Sequence, residues 1–288
     1  MNLIFEFLKF IVFSLGIVII SKYLLVPILR KISIILNLSA RARGNIAGFA
    51  TSVPELLTVC FSASSGLIGT SIYNILSSNT INLIQYTFTV YLNKNQKYLR
   101  NKAILTDIIL ALITVAIPLI AVIFKFTFGM ISVVIFVILS FVFYYINHNM
   151  HKLYLGKEDK EIEKEEQTEA ENEDRKSNKK GNIILYAIVL LIIVALLYWI
   201  GELLSNSLTN LCKTFGLPEI VVGILLGFIT SIPELITFTE AQRKEKSKND
   251  EMANKIGVVE ATNNLLTSNI LNLFVIQSIG IILYSIFG

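Results

Sequence analysis

The chain has 288 residues, of which 54% are hydrophobic and only 16% charged, and its mean hydropathy is +0.66. That balance excludes a soluble globular domain and defines an integral membrane protein. The formal charge of +4 decides little, because about half of the 21 acidic residues fall between Lys157 and Lys180 and the basic residues collect in a few loops. Cys60 and Cys212 both lie in apolar segments, so they read as packing residues and not as a disulfide framework.

Eight apolar runs reach the roughly 20 residues that a hydrocarbon core requires. In chain order they are Leu3 to Leu29, Gly44 to Ser64, Leu67 to Leu92, Ala103 to Phe124, Phe128 to Ile146, Ile183 to Leu203, Glu219 to Thr239 and Ile256 to Phe287. The first carries Lys9 and no small-residue cleavage site, so it reads as a retained helix and not as a signal peptide. The expected fold is an all-α membrane protein of about eight transmembrane helices. Residues 1–150 form the first membrane half, 151–181 a charged linker and 182–288 the second half.

Orientation follows from the basic loops. With the N-terminus outside, the cytoplasmic loops hold Arg30, Lys31, Arg41 and Arg43, then Lys94, Lys97, Arg100 and Lys102, then Arg243, Lys244, Lys246, Lys248 and Lys255. The opposite loops hold chiefly Lys125 and Lys213. This arrangement predicts a multi-pass protein of the cell membrane with a cytoplasmic linker. The linker is too charged to bury a core and reads as a solvated hinge, with a regulatory ion or lipid sensor as the alternative.

Inside the second run stands Gly48-Phe49-Ala50-Thr51-Ser52-Val53-Pro54-Glu55-Leu56, a proline and a carboxylate in mid-membrane. A charge there costs at least roughly 2.5–3.5 kcal/mol, which makes it a functional-site candidate by default. The chain writes the stretch again 179 residues later, as Gly227-Phe228-Ile229-Thr230-Ser231-Ile232-Pro233-Glu234-Leu235. Downstream, Asn74, Ser78, Asn79 and Asn82 recur at the same spacing as Asn264, Ser268, Asn269 and Asn272, and upstream Gly44 corresponds to Gly223. The first helices of the two copies, 44–92 and 219–287, are the second and seventh spans, five steps apart in the chain, so they enter the membrane from opposite sides. Such an inverted-topology repeat places an ion site near the midplane in secondary transporters.

The residue types state the chemistry. Thr51 and Thr230 lie four residues before Glu55 and Glu234, on one helical face, while the intervening proline withholds an amide and loosens the backbone. On the partner helices Asn74, Ser78 and Asn82, and Asn264, Ser268 and Asn272, follow at steps of four as polar stripes. All these donors are oxygens with no His or Cys among them, which suits hard cations such as Ca²⁺, Na⁺ or Mg²⁺ and argues against zinc or copper.

These stretches resemble the α-repeats of the calcium/cation antiporter superfamily, specifically the sodium/calcium exchanger membrane domain, with its G-T-S-x-P-E and G-N-x-x-G-S-N-x-x-[ND] patterns. Leu217-Pro218-Glu219 and Gly201-Glu202-Leu203-Leu204 are similar to further family segments. The resemblance implies ion ligands at Thr51, Ser52, Glu55, Ser78 and Asn82, and at Thr230, Ser231, Glu234, Ser268 and Asn272. This chain departs from the pattern in carrying Ala50 and Ile229 before Thr-Ser, Ser77 and Thr267 before Ser-Asn, and Asn272 at a position often held by Asp. The family's usual ten spans exceed the eight counted here, which implies a homodimer or a second subunit supplying the last two helices.

The remaining conspicuous residues have plainer readings. His148 and His151 are expected at an interface, Asp107 in an interfacial ion pair near Arg100 and Lys102, and Glu202 in solvent near the outer end of the sixth span. Glu260, one turn before Asn264, reads as a vestibule residue. Three classes stay open from the residues: a secondary-active cation antiporter, a cation channel or uniporter, and a transport-inactive scaffold. The resemblance favours Ca²⁺ exchanged for Na⁺, with Ca²⁺/H⁺ exchange as the alternative. No nucleotide-binding loop or nucleophile constellation is present, so neither an enzyme nor an ATP-driven pump is expected. The expected partners are the lipid bilayer and inorganic cations, with no nucleic acid and no cofactor beyond the transported ions.

Overall fold

A computed structural model describes residues 2–35, 40–154, 183–246 and 251–288, and every regular element among them is helical. Helix α1 (Leu3–Ile20) runs through a π-helical turn at Ser21–Leu25 into α2 (Val26–Ile35). Helices α3 (Ala40–Thr51) and α4 (Val53–Ser64) are two halves of one interrupted rod, followed by α5 (Ile68–Leu92), α6 (Lys102–Ile123) and α7 (Met130–Tyr154). In the second half, α8 (Ile183–Thr209) continues through a π turn at Asn210–Thr214, and α9 (Glu219–Thr230) and α10 (Ile232–Lys246) make the second interrupted rod. Finally α11 (Glu251–Ile270) passes through a π turn at Leu271–Ile276 into α12 (Gln277–Phe287).

Seven of these rods are long and apolar enough to cross a membrane. The eighth expected span is α5, whose 25 residues have the length; its buried Thr70, Ser71, Asn74, Ser78, Asn79 and Asn82 lower its hydropathy. A helix this polar is tolerated in a bilayer only where its polar stripe faces protein, and all six of those side chains are fully buried. Several limits differ from expectation, among them the end of α10, which runs past Thr239 to Lys246, and the start of α11 at Glu251, before Ile256. The α8 rod runs beyond Leu203 to Thr209 and on through its π turn. Residues 151–154, counted with the linker, instead close α7, and 155–182 lie outside the described residues.

Both proline rods break at a serine, Ser52 (φ −82°, ψ −1°) and Ser231 (φ −81°, ψ 0°). Pro54 and Pro233 have no N–H, so the carbonyls of Ala50 and Ile229 lose their usual donors and the helix restarts one residue later. Each restart puts the glutamate in a first helical turn, where unsatisfied amides and the helix dipole favour a negative group.

Small residues decide how the rods cross. A Cβ at Gly48 would lie 2.9 Å from the Asn264 carbonyl and 3.1 Å from the Ser268 amide, and one at Gly227 would lie 2.6 Å from the Asn74 carbonyl and 2.8 Å from the Ser78 amide. Gly44 and Gly223, four residues earlier, sit as tightly on Glu260 and Thr70. Each pair is a small-xxx-small seam that lets backbones touch, the usual means of packing helices where lipid is as apolar as leucine.

Direction follows from the same contacts. Gly44 and Gly48 meet α11 in ascending order, so α3 and α11 run parallel; Gly223 and Gly227 do the same along α5, so α9 and α5 run parallel. Asn82 meets Ser268 and Asn269 while Asn272 meets Ser78 and Asn79, so α5 and α11 are antiparallel. The two copies therefore traverse the bundle in opposite senses, each inserting its first half-helix against the other's polar helix. Cysteines placed at Ser65 and at Lys248, in a background with Cys60 and Cys212 replaced by alanine, should label from opposite faces of the membrane; labelling from one face would contradict this topology.

Around this centre, Phe10, Ile17, Leu197, Leu204 and Leu208 join α1 to α8, and Tyr86, Phe136, Phe143, Leu265 and Phe274 join α5, α7 and α11. The outer faces of α7 and α8, with Ile131, Phe141, Leu191 and Trp199, are exposed to the position of lipid.

Candidate ion-binding site

The ten oxygen-bearing residues singled out in the two repeats lie together where the half-helices abut α5 and α11, and none is more than 2% exposed. Ser78 Oγ donates to Glu55 Oε1 at 2.7 Å, and Ser268 Oγ donates to Glu234 Oε1 at 3.1 Å. The hydroxyls also pair across the repeats, Ser52 with Ser268 at 3.0 Å and Ser78 with Ser231 at 2.9 Å. Thr51 Oγ1 donates to the Gly48 carbonyl at 3.3 Å.

What these groups leave unused is as regular as what they use. Glu55 Oε2 and Glu234 Oε2, Asn82 Oδ1 and Asn272 Oδ1, and Asn74 Oδ1 and Asn264 Oδ1 are all buried without a protein hydrogen-bond partner, as is Thr230 Oγ1. All are oxygen acceptors or hydroxyls, and six of the seven form symmetry-related pairs. Buried polar atoms normally find partners, and an orphaned carboxylate oxygen in mid-membrane is costly, so a set like this fits a missing cation. Among the described residues no group of three or more His, Cys, Asp or Glu side chains exists. A cation here would be held by two carboxylates and several neutral oxygens, the donor set of hard ions.

A second layer fixes the first. Asn79 Nδ2 donates to the Asn269 carbonyl at 3.1 Å and Asn269 Nδ2 to the Asn79 carbonyl at 3.3 Å, a reciprocal pair at the crossing of α5 and α11. Their side-chain oxygens accept from Asn272 Nδ2 at 3.0 Å and from Asn82 Nδ2 at 3.2 Å. Asn82 and Asn272 thus commit their Nδ2 groups to this layer, and their Oδ1 atoms stay without a protein partner. Thr58 and Thr237 hold Asn74 and Asn264 at 2.7 and 2.6 Å. Interhelical hydrogen bonds in membranes average about 0.6 kcal/mol, so the chief effect of this layer is orientation.

The sequence reading missed Asn79, Asn269, Thr58 and Thr237 as site residues. The threonines were marked, since both copies read T-S-x-P-E-L-x-T, with Thr58 and Thr237 one turn past each proline. Glu202 is exposed partway along α8, short of its end. Asp107, in the second turn of α6, is fully buried and accepts from Asn147 Nδ2 of α7 at 2.6 Å. His148 stacks on Tyr144, while the His151 side chain lies outside the described residues. Cys60 and Cys212 are free and half-buried.

One hollow among the described residues adjoins the site. It is a narrow hollow among α2, α3, α10 and α11, and Asn264, Thr237, Glu240 and Glu260 are among the residues that line it. Glu260, read from the sequence as a vestibule residue, lines this hollow one turn before Asn264. At the repeat-related position on the other end, Thr58, Thr70 and Asn74 are fully buried and Leu208, Leu225, Leu226 and Ile229 pack together.

Interrupted half-helices that carry buried carboxylates in inverted repeats fit the cation-antiporter class of secondary transporter. The sequence profile of the family described as Sodium/calcium exchanger protein matches residues 6–152 and 185–287, and the chain belongs to that family. Its fold is similar to that of the sodium-calcium exchanger NCX_Mj. The form soaked with 10 mM Na⁺ and zero Ca²⁺ aligns at a TM-score of 0.50 and 19% identity, covering 98% of this chain and 84% of that one. The form soaked with 2.5 mM Na⁺ and 10 mM Sr²⁺ aligns at 0.50 and 20%, covering 98% and 83%. No curated protein sequence matches at the significance required of these comparisons.

Proposed function

We propose that this member of the family exchanges Ca²⁺ for Na⁺ by alternating access at the midplane site between Glu55 and Glu234. The observation that carries the reading is the paired set of orphaned oxygens: one from each glutamate and one from each of Asn82 and Asn272. One Ca²⁺ neutralises both carboxylates, so the loaded site crosses the membrane without net charge, whereas the empty site would carry two bare carboxylates through a closed state. Loaded transit alone is the requirement for obligatory exchange. Membership of a sodium/calcium exchanger family supports Na⁺ as the counter-ion. The site bears no third carboxylate, because Asn272 fills that position. Three Na⁺ would leave it with an excess positive charge, and proton coupling would have to pass through Glu55 or Glu234. By the charge asymmetry of the loops the hollow beside Asn264 faces the cytoplasm and the N-terminus lies outside.

The test is ⁴⁵Ca²⁺ uptake into proteoliposomes loaded with Na⁺, with K⁺, or with a pH gradient alone. Uptake that requires internal Na⁺ is expected. Uptake driven by the pH gradient and indifferent to Na⁺ would replace Na⁺ with H⁺, and single-channel currents without counter-ion dependence would replace exchange with a pore.

A further inference from the structure

The orphaned oxygens of the glutamates and asparagines follow the repeat, but Gln277 does not. It opens α12, is 2% exposed, and has both Oε1 and Nε2 buried without a protein partner. No other buried side chain among the described residues has two such atoms. Counted on from Asn82 and Asn272, its equivalent in the first repeat is Thr87, which is exposed and donates to the Leu83 carbonyl at 2.8 Å. The difference arises just upstream. Helix α5 is unbroken, whereas Leu271–Ile276 is a π turn, which shifts the face presented by the residues after it and is a frequent mark of functional sites.

The register of this rod on α5 places Gln277 along the site. Asn272 Nδ2 donates to Asn79 Oδ1 at 3.0 Å, Ile276 packs in one cluster with Ile75, and a Cβ at Gly280 would lie 3.0 Å from Ser71 Oγ. In that antiparallel step Gln277 comes opposite Asn74. Asn74 Oδ1 and Ser71 Oγ are themselves buried without partners, so unpaired oxygen collects on this stretch of α5. Asn74 lies one turn from Ser78, which donates to Glu55 Oε1, and its Nδ2 is held by Thr58, which donates to the Glu55 carbonyl at 3.0 Å. Gln277 thus belongs to the Glu55 side of the site, and the Glu234 side has no counterpart.

We propose that Gln277 Oε1 and Asn74 Oδ1 join Glu55 as ligands of a half-site for a monovalent cation, and that Gln277 sets the preference of this half-site for Na⁺ over Ca²⁺. The added oxygen is neutral. One carboxylate among neutral oxygens balances a single positive charge, whereas Ca²⁺ needs both carboxylates, and a buried charge left unbalanced is costly. Water carried by the ion accepts from Nε2, which otherwise stays unpaired. The proposal rests on the reading of Glu55 as an ion ligand in an exchanger of Ca²⁺ for Na⁺.

The test is thermal unfolding of the full-length solubilised protein, titrated separately with Na⁺ and with Ca²⁺ at an ionic strength held constant with choline chloride. Gln277→Met keeps the length of the side chain and removes both polar atoms. It should raise the Na⁺ concentration at half-maximal stabilisation about 10-fold or more, the scale on which metal sites respond to the loss of a supporting group. The Ca²⁺ value should rise much less, so that selectivity for Na⁺ falls. An unchanged Na⁺ value would leave Gln277 bonded to water alone, equal shifts for both ions would make it a general support of Glu55, and a parent not stabilised by Na⁺ would have no such half-site. Each of these overturns the proposal. Failure of the Ca²⁺ reading looks different: a parent that responds to Na⁺ through Gln277 but not to Ca²⁺ keeps the half-site and loses Ca²⁺ as the substrate. If Gln277→Met does not give monodisperse protein, Gln277→Asn is read instead. Its amide is drawn back by one methylene and should weaken Na⁺ in the same sense; an unchanged Na⁺ value would again overturn the proposal.

Discussion

Glu55→Gln is expected to abolish Ca²⁺ uptake and the Ca²⁺-dependent rise in thermal stability together, and Glu234→Gln to do the same. Glutamine keeps the volume of the side chain and still accepts the hydrogen bond that Ser78 or Ser268 now gives. What it removes is one of the two charges that balance a divalent ion. Ca²⁺ held by the remaining carboxylate would leave a net positive charge in mid-membrane, at a cost of roughly 2.5–3.5 kcal/mol or more. That is comparable to the whole stabilisation a ligand confers at a hundredfold excess over its Kd, about 2.7 kcal/mol. The measurement is thermal unfolding of the solubilised protein with and without millimolar Ca²⁺. Because the two glutamates have equivalent partners, the two variants should fail alike; a variant of either that keeps the parental Ca²⁺ shift would show that its carboxylate does not bind the ion.

Much of this arrangement could be read from residue order. Two T-S-x-P-E stretches in mid-span, the Asn-Ser-Asn stripes and an odd number of helices between the copies were enough for an inverted repeat. They also brought Glu55 and Glu234 to one place. The span count was right although α5 falls short on hydropathy, because the basic loops on either side of it alternate as eight crossings require. Other features depend on pairing between distant segments, which spacing does not encode. Asn79 and Asn269 each occupy an ordinary position on a polar stripe, and only the crossing of α5 over α11 makes them partners. The hollow beside Asn264 is likewise a property of how two similar halves pack differently. It shows at Glu240 and Glu260 opposite Phe61 and Thr70, a comparison that needs the frame of the repeat before it means anything. Asp107 reads as interfacial from its basic neighbours in sequence, but α7 covers it and supplies Asn147.

Asn269→Ala and Asn79→Ala are expected to weaken Ca²⁺ binding about 10–100-fold, the usual cost of losing a group that holds a metal ligand in place. Each already gives its side-chain oxygen to an amide of the other helix: Asn269 Oδ1 accepts from Asn82 and Asn79 Oδ1 from Asn272. Their influence runs through those amides. Without Asn269, Asn82 Nδ2 keeps only its 3.3 Å contact with Ser268 Oγ, and its amide is free to turn. A Ca²⁺ titration followed by thermal unfolding separates this role from simple packing. Loss of an interhelical bond worth about 0.6 kcal/mol should lower the Tm of the ion-free protein only slightly, while the Ca²⁺ concentration at half-maximal stabilisation moves by one to two decades. The double variant Asn82→Ala with Asn269→Ala adds a sharper condition. If Asn269 acts by orienting Asn82, its removal should cost almost nothing once Asn82 is gone, so the two losses fall well short of additive. Additive losses, or a lowered Tm at unchanged Ca²⁺ affinity, would make the pair a structural clasp of α5 on α11 and remove it from the ion site.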